Sequence, residues 1–136
     1  LGGDHALSMG SVAGVAAHAA EAGWPLFLLW LDAHTDFHTP DSSESGNLHG
    51  VSVAYLAGRE GFGMFPAMPA PLPMGNVCMI GIRSVDPGER AALIGTDVHL
   101  SDMRAIDEHG IRAPLADFLS RVARAGGMLH VSLDVD

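Results

Sequence analysis

The sequence predicts an α/β fold built on a parallel sheet, and three observations predict it. Short, continuous apolar runs recur along the chain at the length of strands. Stretches of helical composition separate them, as βαβ units require. Polar, metal-ligating residues crowd directly behind the runs, where an open parallel sheet places its functional groups, beyond the carboxyl ends of its strands. The 136 residues suffice for one domain with a real core, and 48% hydrophobic content excludes a disordered chain.

Taken in order, residues 8–22 read as a helix, with Ser8 placed to cap it. Residues 26–31 (Leu-Phe-Leu-Leu-Trp-Leu) form an unbroken apolar run, the pattern of a strand buried on both faces. Residues 49–57 are helical in composition, and residues 59–76, rich in Gly, Pro and Met, read as a surface loop. Residues 77–82 repeat the buried-strand pattern. Pro87 suits the first turn of a helix over 87–94. Residues 97–100 are a weaker fourth strand, residues 113–125 a helix, and residues 128–135 a last strand of the buried kind. No internal repeat is visible.

Composition narrows the function. No apolar run reaches the ~18 residues of a membrane-spanning helix, and no signal peptide is visible. The single cysteine, Cys78, forms no internal disulfide and reads as a small core residue, which fits a reducing, cytoplasmic setting. A formal net charge of −9 argues against nucleic acid as a partner. The first residue, Leu1, is not a start methionine, so the true N-terminus is expected to lie upstream.

The chemistry sits in three strings. Behind the first strand comes Asp32-Ala33-His34-Thr35-Asp36, where alternation in an extended segment puts Asp32, His34 and Asp36 on one face. Behind the last comes Asp134-Val135-Asp136, with the same spacing. Gly2-Gly3-Asp4-His5 adds an imidazole just before a helix. Singly, each has an ordinary reading as a turn, a cap or a loop. Jointly they bring four carboxylates and two imidazoles to one end of a sheet. Carboxylates crowded there cannot all stay ionised without a cation between them. Six ligands exceed the four of one zinc and fit two cations sharing bridging carboxylates. Oxygen-rich ligation with some imidazole suits Mn²⁺, while admitting other divalent transition metals. Two-metal sites generate a hydroxide nucleophile at neutral pH.

GGDH, DAHTD, SGNLHG, IGIRSVDPGE and SLDVD together resemble the arginase family of ureohydrolases, in order and approximate spacing, over essentially the whole chain. The resemblance implies a three-layer α/β/α fold with a mostly parallel sheet, of which residues 1–136 are the central part of a single catalytic domain. It implies hydrolysis of a guanidinium group by a hydroxide bridging two Mn²⁺ ions. His5, Asp32, Asp36 and Asp134 look like the ligands of one ion, and Asp32, His34, Asp134 and Asp136 like those of the other. Asp36 would also orient the hydroxide, and His49 of SGNLHG looks like the proton shuttle to the leaving amine. Ser43, Ser45 and Asn47 match positions that hold a substrate α-carboxylate. Asp86 matches the partner of an α-ammonium, with Glu89 near it. Turn and cap chemistry is the ordinary reading of these residues. His38 stands where arginases often carry Asn, and an imidazole still donates to a carboxylate.

The expected reaction is therefore L-arginine to L-ornithine and urea, with a small guanidino compound as the partner, no membrane, and a homo-oligomer at full length. The alternatives are a sister ureohydrolase acting on agmatine, guanidinobutyrate or formiminoglutamate, or a non-catalytic metal-binding module. Agmatine lacks a carboxylate, so a site lined by Ser45, Asn47 and Asp86 would be partly wasted on it. The residue that recognises the guanidinium lies downstream in the family, so the 136-residue chain alone is expected to be inactive.

Overall fold

A computed structural model describes residues 4–135. The strands are β1 (Leu26–Leu31), β2 (Val77–Ile82), β3 (His99–Asp102) and β4 (Met128–Leu133). All pair in parallel, in the order β3-β2-β1-β4. The helices are α1 (Leu7–Ala22), α2 (Ser52–Leu56), α3 (Pro87–Leu93), α4 (Met103–His109) and α5 (Arg112–Ala125), with a 3-10 turn at Leu48–Val51 leading into α2.

Alternation along the strands builds two cores. Leu26, Leu28 and Trp30 join Val77 and Met79 beneath Val12, Ala16, Val53 and Leu56 of α1 and α2. Phe27, Leu29, Cys78 and Ile80 face the other way, against Phe118 and Val122 of α5. Each large side chain fully buried this way contributes about 1.5–3 kcal/mol. Helices cover both faces of a parallel sheet, which is the three-layer α/β/α fold expected from the sequence.

A bulge in β2 aims the end of the sheet. Gly81 adopts φ 97°, and the β2–β3 register slips between Ile80 and Ile82. Ile82 thereby turns into the α1/α2 core, although it shares parity with Cys78 and Ile80. A Cβ at position 81 would stand 3.2 Å from the Asp32 carbonyl oxygen, so glycine is needed for both conformation and space.

Several local expectations change. Ser8 is not the cap of α1: the helix starts at Leu7, the Asp4 carboxylate accepts the Ala6 N–H, and the Ser8 hydroxyl donates to the His5 carbonyl. The 49–57 helix begins as a 3-10 turn and ends at Leu56. The fourth strand lies two residues later than expected. It runs directly into α4, a helix too short to show a period and capped by Asp102, which accepts the Ala105 N–H. β4 is not buried on both faces: it pairs only with β1, and Val131 and Leu133 are more than half exposed. The loop over 59–76 is partly core, because Leu72 is buried and Phe62 and Phe65 pack with Tyr55.

Among the described residues, no helix is long and apolar enough to cross a membrane. Cys78 is buried between strands, and burial pushes its thiol up to about 11. A disulfide reagent such as Ellman's should therefore leave it unmodified at pH 8 in the folded protein and titrate it after denaturation. Rapid reaction under native conditions would contradict that packing.

Candidate metal centre

Sheet register sets the two strand-end carboxylates side by side. Leu31 pairs with Leu133, so Asp32 and Asp134 leave adjacent parallel strands at the same level. The Asp32 N–H donates to the Ile80 carbonyl at 3.2 Å and the Asp134 N–H to the Leu31 carbonyl at 2.9 Å. Beyond β1 the chain stays tied to the segment after β2: the Arg83 and Ser84 N–H groups both donate to the Ala33 carbonyl, and His34 bridges to Ser84.

His5 enters from just before α1. Its ring stacks on Trp30, with centroids 4.0 Å apart and planes 12° from parallel, and its Nε2 lies 2.8 Å from the Ser132 hydroxyl. That leaves Nδ1 facing three carboxylates, 2.8 Å from Asp32, 3.3 Å from Asp134 and 3.6 Å from Asp36. Asp36 does not arrive by strand alternation. Its φ is 48°, a left-handed turn that aspartate tolerates better than most residues. Its carbonyl accepts the N–H groups of Val53 and Ala54 at the start of α2. His34 flanks the cluster, with Nδ1 3.3 Å from Asp32 and its side chain about half exposed. Asp136 lies outside the described residues.

The electrostatics match a cation site. Asp32 and Asp36 are buried, and a single imidazole nitrogen can satisfy one carboxylate at a time. Burial pushes the Asp32 carboxyl up, but the hydrogen bonds from His5 and from the His34 N–H outweigh it and hold the group below its ordinary value. The chain has no lysine to neutralise the cluster. Three carboxylates from two chain segments around an imidazole from a third are the donor set of a hard or borderline divalent ion, and His5, Asp32 and Asp36 have ligand atoms close enough to share one. The residues present fit such a group.

A cavity of about 310 Å³ opens onto these ligands, and a second of about 280 Å³ adjoins it; His34, Asp36 and His49 line both. His49 is half exposed, with Nδ1 3.6 Å from the Asp4 carboxylate. His38, Ser43, Ser45, Asp86 and Glu89 line the second cavity. Asn47 does not; it lines a neighbouring depression with Asp4 and Leu48. The serines also shape their own loop, Ser43 accepting the Gly46 N–H and Ser45 the Asn47 N–H. The His38 Nε2 lies 2.5 Å from Asp86, and its Nδ1 lies 3.1 Å from the Ser42 hydroxyl. Asp86 caps α3 through the Glu89 N–H, and that bond, followed by the His38 contact, holds its carboxyl below the usual range. Glu89 lines the second cavity but is largely enclosed. It is buried, and its carboxylate accepts from the Thr35 hydroxyl and the Phe37 N–H.

Sequence reasoning missed Ser132, the stacking role of Trp30 and the Thr35–Glu89 bond. Asp4 stood in a motif already singled out for His5. Nothing local marks the others, because each depends on a partner brought close by the fold.

Fold and site together define an α/β protein that gathers side chains able to hold a metal ion beyond the carboxyl ends of parallel strands. The model of the Arginase family matches residues 1–136, and the chain belongs to that family. It is 60% identical over 137 residues to an arginase of Brucella melitensis biotype 1, covering all of this chain and 45% of that protein. An arginase of Agrobacterium fabrum is 54% identical over 136 residues, covering 100% and 42%. Among solved structures, the Entamoeba histolytica arginase in complex with L-ornithine superposes with a TM-score of 0.88 at 28% identity, over 98% of this chain and 45% of that one. The Bacillus cereus arginase gives 0.82 at 33% identity, covering 98% and 45%. The chain thus spans less than half the length of the curated relatives it matches.

Proposed function

We propose that residues 1–136 are the metal-ligand-bearing central part of a single arginase-like catalytic domain, whose full-length protein hydrolyses L-arginine to L-ornithine and urea. The observation that carries this reading is the convergence of Asp32, Asp36 and Asp134 on one nitrogen of His5 in an arginase-family chain. Two Mn²⁺ ions are the proposed cofactors, one held by His5, Asp32, Asp36 and Asp134, the other by Asp32, His34, Asp134 and Asp136. When bound, they supply an activated water as nucleophile and stabilise charge that develops on the guanidinium carbon's substituents. We further propose a homo-oligomer for the full-length protein.

The chain's own residues orient the substrate and manage protons. Asp36 lines both cavities and accepts a hydrogen bond from the attacking oxygen. His49, at the junction of the cavities and open to solvent, carries a proton to the departing amine. Asp86, ionised and facing the second cavity, pairs with the α-ammonium, while Ser43 and Ser45 offer donors to the α-carboxylate and His38, held between Asp86 and Ser42, orients Asp86.

The test is urea release by the full-length protein from arginine, agmatine and guanidinobutyrate in parallel. Arginine should be preferred, and Asp86→Ala should cut kcat/KM for arginine by roughly 10- to 150-fold, the loss of a charge-assisted contact worth ~1.5–3 kcal/mol. Guanidinobutyrate, which lacks the ammonium, should lose far less, whereas agmatine, which keeps that amine and lacks the carboxylate, should lose about as much as arginine. Equal losses on all three would reduce Asp86 to the cap of α3.

A further inference from the structure

We infer that Glu89 is a positioning residue for the metal ligand Asp36 and makes no contact with substrate. The inference rests on the metal-site reading above and adds to it the device that holds one ligand in place. Asp36 sits in a left-handed conformation, φ 48°, which costs free energy for a residue with a Cβ and persists only when its neighbours are fixed. Both neighbours are fixed by one oxygen. The Glu89 Oε1 accepts the Thr35 hydroxyl at 2.7 Å and the Phe37 N–H at 2.9 Å, gripping the chain on either side of Asp36. Asp36 itself is anchored through its carbonyl to Val53 and Ala54.

Glu89 is in turn locked to α3. Its N–H donates to Asp86 at 3.0 Å, and its other oxygen accepts the Asp86 N–H at 3.4 Å, a reciprocal cap at the start of the helix. Thr35 and Phe37 are fully or almost fully buried and Glu89 is 7% exposed, so these bonds form where water cannot replace them. With Oε1 engaged twice and Oε2 directed at its own helix, little of the carboxylate remains to receive a substrate ammonium. The same side chain ties Asp86, on the substrate side, to Thr35-Asp36-Phe37 on the metal side. An ill-held α3 therefore disturbs metal ligation, although no residue of α3 belongs to the proposed ligand set.

Mn²⁺ binding to the full-length protein, measured by titration calorimetry beside KM for arginine, tests this. Glu89→Ala should weaken Mn²⁺ binding at one site by about 10- to 100-fold, the usual cost of losing a group that orients a ligand. KM for arginine, measured at saturating Mn²⁺, should change less than about threefold. Glu89→Gln keeps a carbonyl oxygen for Thr35 and Phe37 and should recover most of the affinity. Should Glu89→Ala fail to fold, Thr35→Val removes the 2.7 Å bond at constant shape and should lower Mn²⁺ affinity several-fold. Raised KM with unchanged Mn²⁺ binding in either variant would overturn the inference and return Glu89 to the substrate. Absence of Mn²⁺ binding by the unmodified protein would instead refute the metal-site reading itself.

Discussion

Asp32→Asn in the full-length protein will lower arginine hydrolysis by at least about 10³-fold, or ~4 kcal/mol of transition-state stabilisation, and will reduce the Mn²⁺ content below two per chain. Asparagine keeps the oxygen that accepts the His34 N–H, so the turn after β1 survives. What it loses is the charge on a carboxylate adjacent to two imidazoles, 2.8 Å from His5 and 3.3 Å from His34. The protein should still fold, because asparagine keeps the size of the side chain and the oxygen that ties down the His34 N–H. Elemental analysis and a urea assay on one preparation suffice to check this. Activity within tenfold of the unmodified enzyme would mean that Asp32 does not bridge.

Stripping Mn²⁺ will lower the melting temperature, and restoring it will raise it again. A ligand bound only by the folded state stabilises it by ~2.7 kcal/mol at a hundredfold excess over Kd, which is about 4 °C for a chain of the relatives' length. Acid should act in the same direction. Asp32 is held below its ordinary value of 3.8, so its contribution is present above that pH and is lost as pH falls through the lowered value. Protons also compete with metal for the same carboxylates, so the metal-dependent increment should shrink from the acid side first. Calorimetric scans with and without chelator, from pH 8 down past the lowered Asp32 value, would show this. Identical scans after verified metal removal would mean that the cluster does not bind metal in the folded state.

What was legible in the sequence follows from how far apart the cooperating residues lie. Asp32, His34 and Asp134 were readable because each stands directly behind a recognisable strand, and parallel register brings strand ends together. Asp86-Pro87-Gly88-Glu89 was readable as a helix start because a cap is local, and the structure shows both of its reciprocal bonds. Glu89 was assigned to the substrate side from that same local frame and lines the second cavity; its bond to Thr35, 54 residues away, was not readable. Gly81 looked like one glycine among 17. Only pairing geometry shows that it redirects β2 and leaves room for the Asp32 carbonyl. Asp36 came to the right cluster by a different route, since alternation cannot describe a residue with positive φ. α4 was invisible because two turns of helix carry too few apolar positions to establish a period.

The stacking of His5 on Trp30 gives the centre an optical reporter of its own. Trp30 is wholly buried and lies in van der Waals contact with the ligand imidazole, whereas Trp24, the only other indole, is about half exposed. The two emit from different surroundings, one dry and one wet, so their spectra separate without labelling. Whatever draws charge toward His5 polarises the ring lying against it. If a divalent cation binds at His5, a change in Trp30 emission on adding it, with no substrate present, is the expected result.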